Sequence, residues 1–215
     1  AQPYLFFIYT EIEKRRLPLE IALLPIIESG YNPRATSSEG AAGIWQLMPS
    51  TGHRFDLHQS RWYDARRDVV ASTHAALDYL EELRDRFFGD WALALAAYNC
   101  GARTVERAIE RNRRARRPTD FWSLDLPRET ENYVPRLFAL VEILSHPEAH
   151  DVAIANIEHT PHFKAIDIEG GLELARVIEW SQMNPKDFDA LNAAFRTRFS
   201  IDGAPTTVLV HNGVF

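Results

Sequence analysis

The sequence predicts a mainly α protein with a small α+β segment, ordered strand-helix-helix-strand, at its C-terminal end. Two patterns predict this. Up to about His150 the apolar residues recur near the 3.6-residue helical period. From about Ile157 the pattern changes to short alternating runs around two short amphipathic stretches. With 215 residues, 46% of them apolar, the chain can fill one core and carry an appendage; the boundaries are expected at 1–150 and 157–215.

The first two helices are expected over Tyr4–Arg15 and Pro18–Glu28. Pro18 suits a first helical position, where its missing N–H costs nothing. "RRDVVASTHAALDYLEELRDRFFG" carries Val69, Ala76, Leu77, Leu80, Leu83 and Phe87 near a helical period and stops at Gly89. Asp90 caps the alanine-rich "DWALALAAYN", whose small side chains suit close packing. "ARTVERAIERN" follows Gly101 as a helix. "ETENYVPRLFALVEILSH" is another, with Pro135 either early in it or kinking it. Asn112–Pro127 reads as a loop. The run "RNRRARR", Arg111–Arg117, has five arginines in seven residues, read first as a solvated face and second as a contact for an anionic polymer.

In the C-terminal segment, "HFKAIDIE" and "PTTVLVH" read as strands. "GGLELARVIEW" and "NPKDFDALNAAF" read as short helices, the second opened by Pro185. So small a unit is expected to lean on the first domain for stability.

Composition narrows the function. A formal charge of −6 argues against nucleic acid as partner, since phosphate binding wants a basic surface. The single cysteine, Cys100, excludes an internal disulfide, and no H-E-x-x-H pattern offers a zinc site; no metal and no cofactor is expected. The apolar start, Pro3–Tyr9, is too short to cross a membrane, meets Glu11 and Glu13, and lacks the basic flank of a signal peptide. The chain therefore reads as cytoplasmic or as a mature or trimmed piece.

Glu28 closes the greasy run "LLPII". On a helix over Pro18–Glu28, Ile21, Leu24 and Glu28 fall at i, i+3 and i+7, so Glu28 continues an apolar stripe. Desolvation and the negative helix end both disfavour its carboxylate form, which suits a general acid. The competing reading is a glutamate at a frayed end, pointing to solvent. "GAAGIWQLMPSTG" follows. Gly40 and Gly43 allow close backbone approach, Trp45 and Met48 offer apolar surface, and Gln46 offers an amide. Apolar platforms mixed with amide hydrogen bonding suit a sugar; the plainer reading is a turn around a core tryptophan. Tyr98 and Asn99 in "AAYNCG" and Tyr133 in "ENYVPR" place further polar tips at helix positions.

Together, "LPIIESGYNPRATSSEGAAGIWQLMPSTG", "AAYNCG" and "ENYVPR", in that order, resemble the lytic transglycosylases, bacterial enzymes with a goose-type-lysozyme-like helical catalytic domain. The form is most similar to the membrane-bound type D branch and covers roughly Tyr4–His146. The resemblance implies that Glu28 is the catalytic acid/base and that Ser29 helps orient it. It implies that Ser37, Gln46 and Met48 line a sugar cleft, that Tyr98 and Asn99 flank the scissile bond, and that Tyr133 is another cleft residue. The C-terminal segment resembles a LysM module, although Gly170-Gly171 stand where that module has its usual turn.

The implied substrate is the peptidoglycan glycan strand. Glycosidases generally use two carboxylates, and this motif supplies one; Asp56 and Asp64 are expected to be structural or exposed. The implied route is non-hydrolytic, with Glu28 as acid and then base, giving 1,6-anhydromuramic ends. A hydrolytic lysozyme, a non-catalytic peptidoglycan binder and a helical interaction protein are the alternatives. The resemblance further implies a monomer in the periplasm or cell envelope, in contact with a membrane only through a lipid anchor upstream of this chain.

Overall fold

The computed structural model describes residues 2–200 and 207–213. Its elements in chain order are α1 (Gln2–Lys14), α2 (Leu24–Ser29), α3 (Pro49–Arg54), α4 (Val69–Arg86), α5 (Trp91–Cys100), α6 (Ala102–Arg114), α7 (Arg128–Ser145), β1 (Phe163–Asp167), α8 (Leu174–Ser181), α9 (Pro185–Leu191) and β2 (Thr207–His211). The mainly α class expected from the sequence is the class observed. Contacts divide the chain into two compact units, Ala1–Ala75 with Asn156–Phe215, and Ala76–Ala155.

In the first unit, α1 buries Tyr4, Ile8 and Ile12. The single helix expected over Pro18–Glu28 is instead a 3-10 turn, Leu19–Leu23, followed by α2. Pro25 is the cause. It has no N–H to give the carbonyl of Ile21, so that carbonyl accepts from Leu24 N, an i−3 bond that tightens the chain. Ile21 and Leu24 are still buried, but Glu28 is only half-buried, so the apolar stripe fades where it reaches the carboxyl. Gly30, at φ 61, ends α2: its N–H returns to Ile26 O and the N–H of Tyr31 to Pro25 O.

The C-terminal segment belongs to this same unit. β1 and β2 pair antiparallel, from Phe163 opposite His211 to Asp167 opposite Thr207. The expected start of the second strand, Pro205 and Thr206, lies outside the described residues. The buried Asn192 side chain donates to Phe188 O and Leu209 O and accepts from Leu209 N, which locks α9 to β2. The segment is tied to the N-terminal part of the unit at several points. Tyr4 donates to Ala190 O at 3.0 Å, Arg34 to Asp189 O at 2.8 Å and Asp64 N to Ala194 O at 2.9 Å; the Tyr63 ring meets Phe195 edge-on.

In the second unit, Asp90 caps α5 as expected, accepting from Leu93 N at 3.0 Å. Leu93–Ala97 are all buried, and α6 and α7 pack on α5. The expected helix end at Asn112 is overrun: α6 continues to Arg114, so much of the arginine run is helix and not loop. Arginine is a good helix former, and cations in a last turn complement the helix dipole. Pro135 lies inside α7.

Candidate functional site

Of the residues singled out from the sequence, Glu28, Ser29, Ser37, Gln46 and Met48 lie in the first unit, and Tyr98, Asn99 and Tyr133 in the second. In the first unit, Glu28 is on the last turn of α2. Ser29 shares its hydroxyl proton between Pro25 O at 3.2 Å and Ile44 O at 3.0 Å. That second bond ties the end of α2 to the glycine-rich loop, so Ser29 fixes the turn that carries Glu28.

The loop is built by its own side chains. Ser37 Oγ accepts from Glu39 N and Ala41 N, so this hydroxyl shapes the turn. Gln46, at φ 48, donates from Nε2 to Gly43 O at 2.8 Å. Met48 is exposed and offers the apolar surface expected of it. Trp45 does not: it is fully buried and its indole N–H donates to Thr73 Oγ1 at 2.9 Å, so it is the core tryptophan of the plainer reading. Gly43 serves protein and not ligand. At φ 82, a Cβ there would overlap the carbonyl oxygen of Arg66, so the close approach it permits is to the chain itself.

Arg66 is the residue that local patterns missed. It is 7% exposed and meets Asp64 bidentately, Nε to Oδ1 at 3.0 Å and Nη2 to Oδ2 at 2.9 Å. Its Nη1 donates to Gly40 O at 2.7 Å and Leu47 O at 3.0 Å, holding both ends of the loop from beneath. Asp64 is 1% exposed and also receives Arg196 at 2.7 Å, with Arg67 at 3.7 Å. Burial pushes the Arg67 guanidinium down from its usual range; Asp64 opposes this, and Arg196, Arg66 and Arg34 reinforce it. Asp64 is thus structural, and Asp56 is exposed at φ 55. The only signal for Arg66 in the sequence was the charged string "DARRD", whose partners lie far along the chain.

In the second unit, Asn99 is held at both ends by the first turn of α7. Its Nδ2 donates to Glu129 Oε1 at 3.1 Å and its Oδ1 accepts from Thr130 Oγ1 at 2.6 Å. The Tyr98 ring sits 5.5 Å from that of Tyr79, tilted by 39°. Tyr133 is 4% exposed, so little of it reaches a surface. Burial raises the Cys100 thiol above its usual range, with Thr130 opposing by a hydrogen bond. Among the described residues no three His, Cys, Asp or Glu side chains come together as a metal site, and no helix is long and apolar enough to cross a membrane.

The model of the Transglycosylase SLT domain matches residues 6–121, more than half of the chain, and the chain belongs to that family. It is 41% identical to the membrane-bound lytic murein transglycosylase D of Escherichia coli strain K12 over 210 residues, covering 98% of this chain and 46% of that protein. It is 38% identical to a putative tributyltin chloride resistance protein of Alteromonas sp. strain M-1, covering 85% of this chain and 86% of that one. The chain spans about half the length of the transglycosylase D that it matches. Among solved structures, the 70 kDa soluble lytic transglycosylase SLT70 of Escherichia coli is similar at 25% identity and a TM-score of 0.48, over 63% of this chain and 22% of that one.

Proposed function

We propose that this protein cleaves the β-1,4 bond between N-acetylmuramic acid and N-acetylglucosamine in peptidoglycan without consuming water. Membership of the transglycosylase family supports the reaction class. The observation that supports a single-carboxylate route is the state of Asp64, a carboxylate engaged by Arg66 and Arg196 and sealed from solvent. Burial and two guanidinium partners take this acid out of the candidates for a second carboxylate.

On this reading Glu28 begins protonated and gives its proton to the glycosidic oxygen as the bond to muramic C1 breaks. The substrate's own acetamido group stabilises the oxocarbenium-like centre. The Glu28 carboxylate then takes the proton of the muramic C6 hydroxyl, whose oxygen bonds to C1. The proton count balances, Glu28 is regenerated, and the product ends in a 1,6-anhydro ring. Ser29 keeps the turn of Glu28 fixed against the loop. Met48 and Gln46 offer apolar and amide surface to sugar, and the family resemblance assigns Tyr98 and Asn99 to the reacting ring, while the buried Tyr133 serves the packing of α7. The setting is the periplasm or cell envelope, where the polymer lies, and the C-terminal segment is read as LysM-like.

The test is product analysis. Purified sacculi digested by the protein should release muropeptides with 1,6-anhydro ends, and Glu28→Gln should lower turnover by about 10³-fold or more while keeping the circular dichroism of the wild type. Reducing-end products heavier by one water would make the enzyme a hydrolase, and cleavage by folded Glu28→Gln would remove Glu28 from the mechanism.

A further inference from the structure

Three consecutive residues of the C-terminal segment grip three residues ahead of α4. Ala194 O accepts from Asp64 N at 2.9 Å, Phe195 forms an antiparallel bridge with Tyr63, and Arg196 N donates to Trp62 O at 2.7 Å. To these backbone ties Arg196 adds its side chain, whose Nη2 meets Asp64 Oδ2 at 2.7 Å. Both stretches belong to the first unit. Arg196 lies outside the residues 6–121 that the family model matches, so membership of the family gives it no role.

Neutralising Asp64 does not account for Arg196. Arg66 already meets that carboxylate bidentately, and one buried guanidinium balances one buried carboxylate. Arg67 stands 3.7 Å from the same oxygen, and the charge of Arg196 is among those that push the Arg67 guanidinium down. A further cation here adds repulsion. Docking the segment does not account for it either, since the backbone bonds to Trp62 and Asp64 form whatever the side chain is. What the side chain adds is direction. Asp64 Oδ2 receives Arg66 and Arg196 together, which fixes the carboxylate and with it the Arg66 guanidinium. Arg66 Nη1 donates to Gly40 O and Leu47 O. Between those carbonyls the loop closes on itself, Ala42 N to Leu47 O and Leu47 N to Ala42 O, both at 3.1 Å. It then presents Ile44 O to Ser29 Oγ, on the turn that carries Glu28.

We propose that Arg196 is a positioning residue: by fixing Asp64, and through it Arg66, it holds the glycine-rich loop and the turn of Glu28 in the geometry that turnover needs. The C-terminal segment is then part of the support of the catalytic site and not a separable module. The effect on turnover rests on the reaction assigned above; the effect on the loop rests on the hydrogen-bond chain alone. A misplacement of about 1 Å, caused by a change far from the chemistry, can cost about 10²-fold in rate, and removing one tie of several costs less.

The test compares Arg196→Gln, Arg196→Lys and Tyr4→Phe in this chain, well below their Tm. The Arg196 side chain is 41% exposed, so Arg196→Gln should keep the circular dichroism of the wild type. Tyr4→Phe removes a different tie of the same segment, the bond to Ala190 O. The readouts are hydrogen–deuterium exchange of the peptide that contains Ala42 and Leu47, and kcat and KM on soluble glycan strands. Arg196→Gln should speed that exchange about tenfold and lower kcat about tenfold, with KM within about twofold of the wild type. Arg196→Lys keeps a charged donor for Asp64 and should restore most of both. Tyr4→Phe should leave both at wild-type values. Unchanged exchange or unchanged kcat in Arg196→Gln overturns the proposal. So does failure of lysine to rescue, or an equal loss in Tyr4→Phe, which would mean that any loosening of the segment has the same effect. The two readings fail separately: reducing ends in place of anhydro ends, with the same dependence on Arg196, remove only the non-hydrolytic reaction, and anhydro ends without that dependence remove only the positioning role.

Discussion

The loop after α2 and the turn at the start of α7 each hold residues assigned to sugar, and they are made rigid by different physics. The loop has little regular structure. It is held by a buried guanidinium donating to Gly40 O and Leu47 O, by Ser29 on Ile44 O, and by a glycine whose missing Cβ leaves room for Arg66 O. The α5–α7 region uses regular helices, a packed row from Leu93 to Ala97, and one amide gripped by Glu129 and Thr130. The first solution concentrates its cohesion in one charged cluster, and the second spreads it over packing. The first should therefore fail abruptly and the second gradually.

Asp64→Ala is the hardest blow to the first solution. It leaves Arg66 buried without its counter-charge, at a cost of about 3–5 kcal/mol. In a protein of this size that is roughly 6–20 °C in Tm, readable by scanning calorimetry. An unchanged Tm would mean that the cluster contributes nothing to cohesion. Thr130→Val tests the second solution. It removes the donor to Asn99 Oδ1 but keeps volume, and since Asn99 is only half-buried, water can substitute. A loss of about 1 kcal/mol is expected by urea denaturation, with a measurable fall in turnover if Asn99 positions sugar. A loss as large as that of Asp64→Ala would erase the contrast.

The smallest effect, Tyr4→Phe, is selective in pH. The Tyr4 hydroxyl donates to Ala190 O, and burial pushes its pKa up from 10.0 to about 12, with Arg34 opposing. The neutral phenol is the form that the fold favours. Its contribution is fully present below pH 10 and is lost as pH rises from there through about 12. Tyr31 and Tyr63 are raised as well, chiefly by burial. The phenylalanine variant should lose about 1 kcal/mol at neutral pH and show a shallower alkaline decline, followed by fluorescence between pH 9 and 12. An identical alkaline profile would exclude Tyr4 from it.

What could be read in the sequence followed local rules. Asp90 announced a cap, the 3.6-residue period announced α4, the alanine-rich run after Asp90 announced α5, and the alternation announced β1. The misreadings share a cause. Trp45 was offered as cleft surface beside the plainer reading of a core tryptophan, and the partner that decides for the core, Thr73, is on another element. The arginine run looked like loop because charge was weighed above helix propensity. The helix over Pro18–Glu28 broke because Pro25, and not only Pro18, has no N–H to give. Asp64 was expected to be structural or exposed and is structural, but its partner Arg196, 132 residues further on, could not be read from the local sequence.

That last bond has a bearing on how the chain comes apart. Arg196 belongs to the C-terminal segment, and Asp64, through Arg66, props up the loop beside Glu28. A protease that nicked the chain ahead of Arg196 would take one counter-charge from a sealed carboxylate without touching the loop itself. Loss of the tail should therefore weaken the support of the loop as well, through a carboxylate that both share.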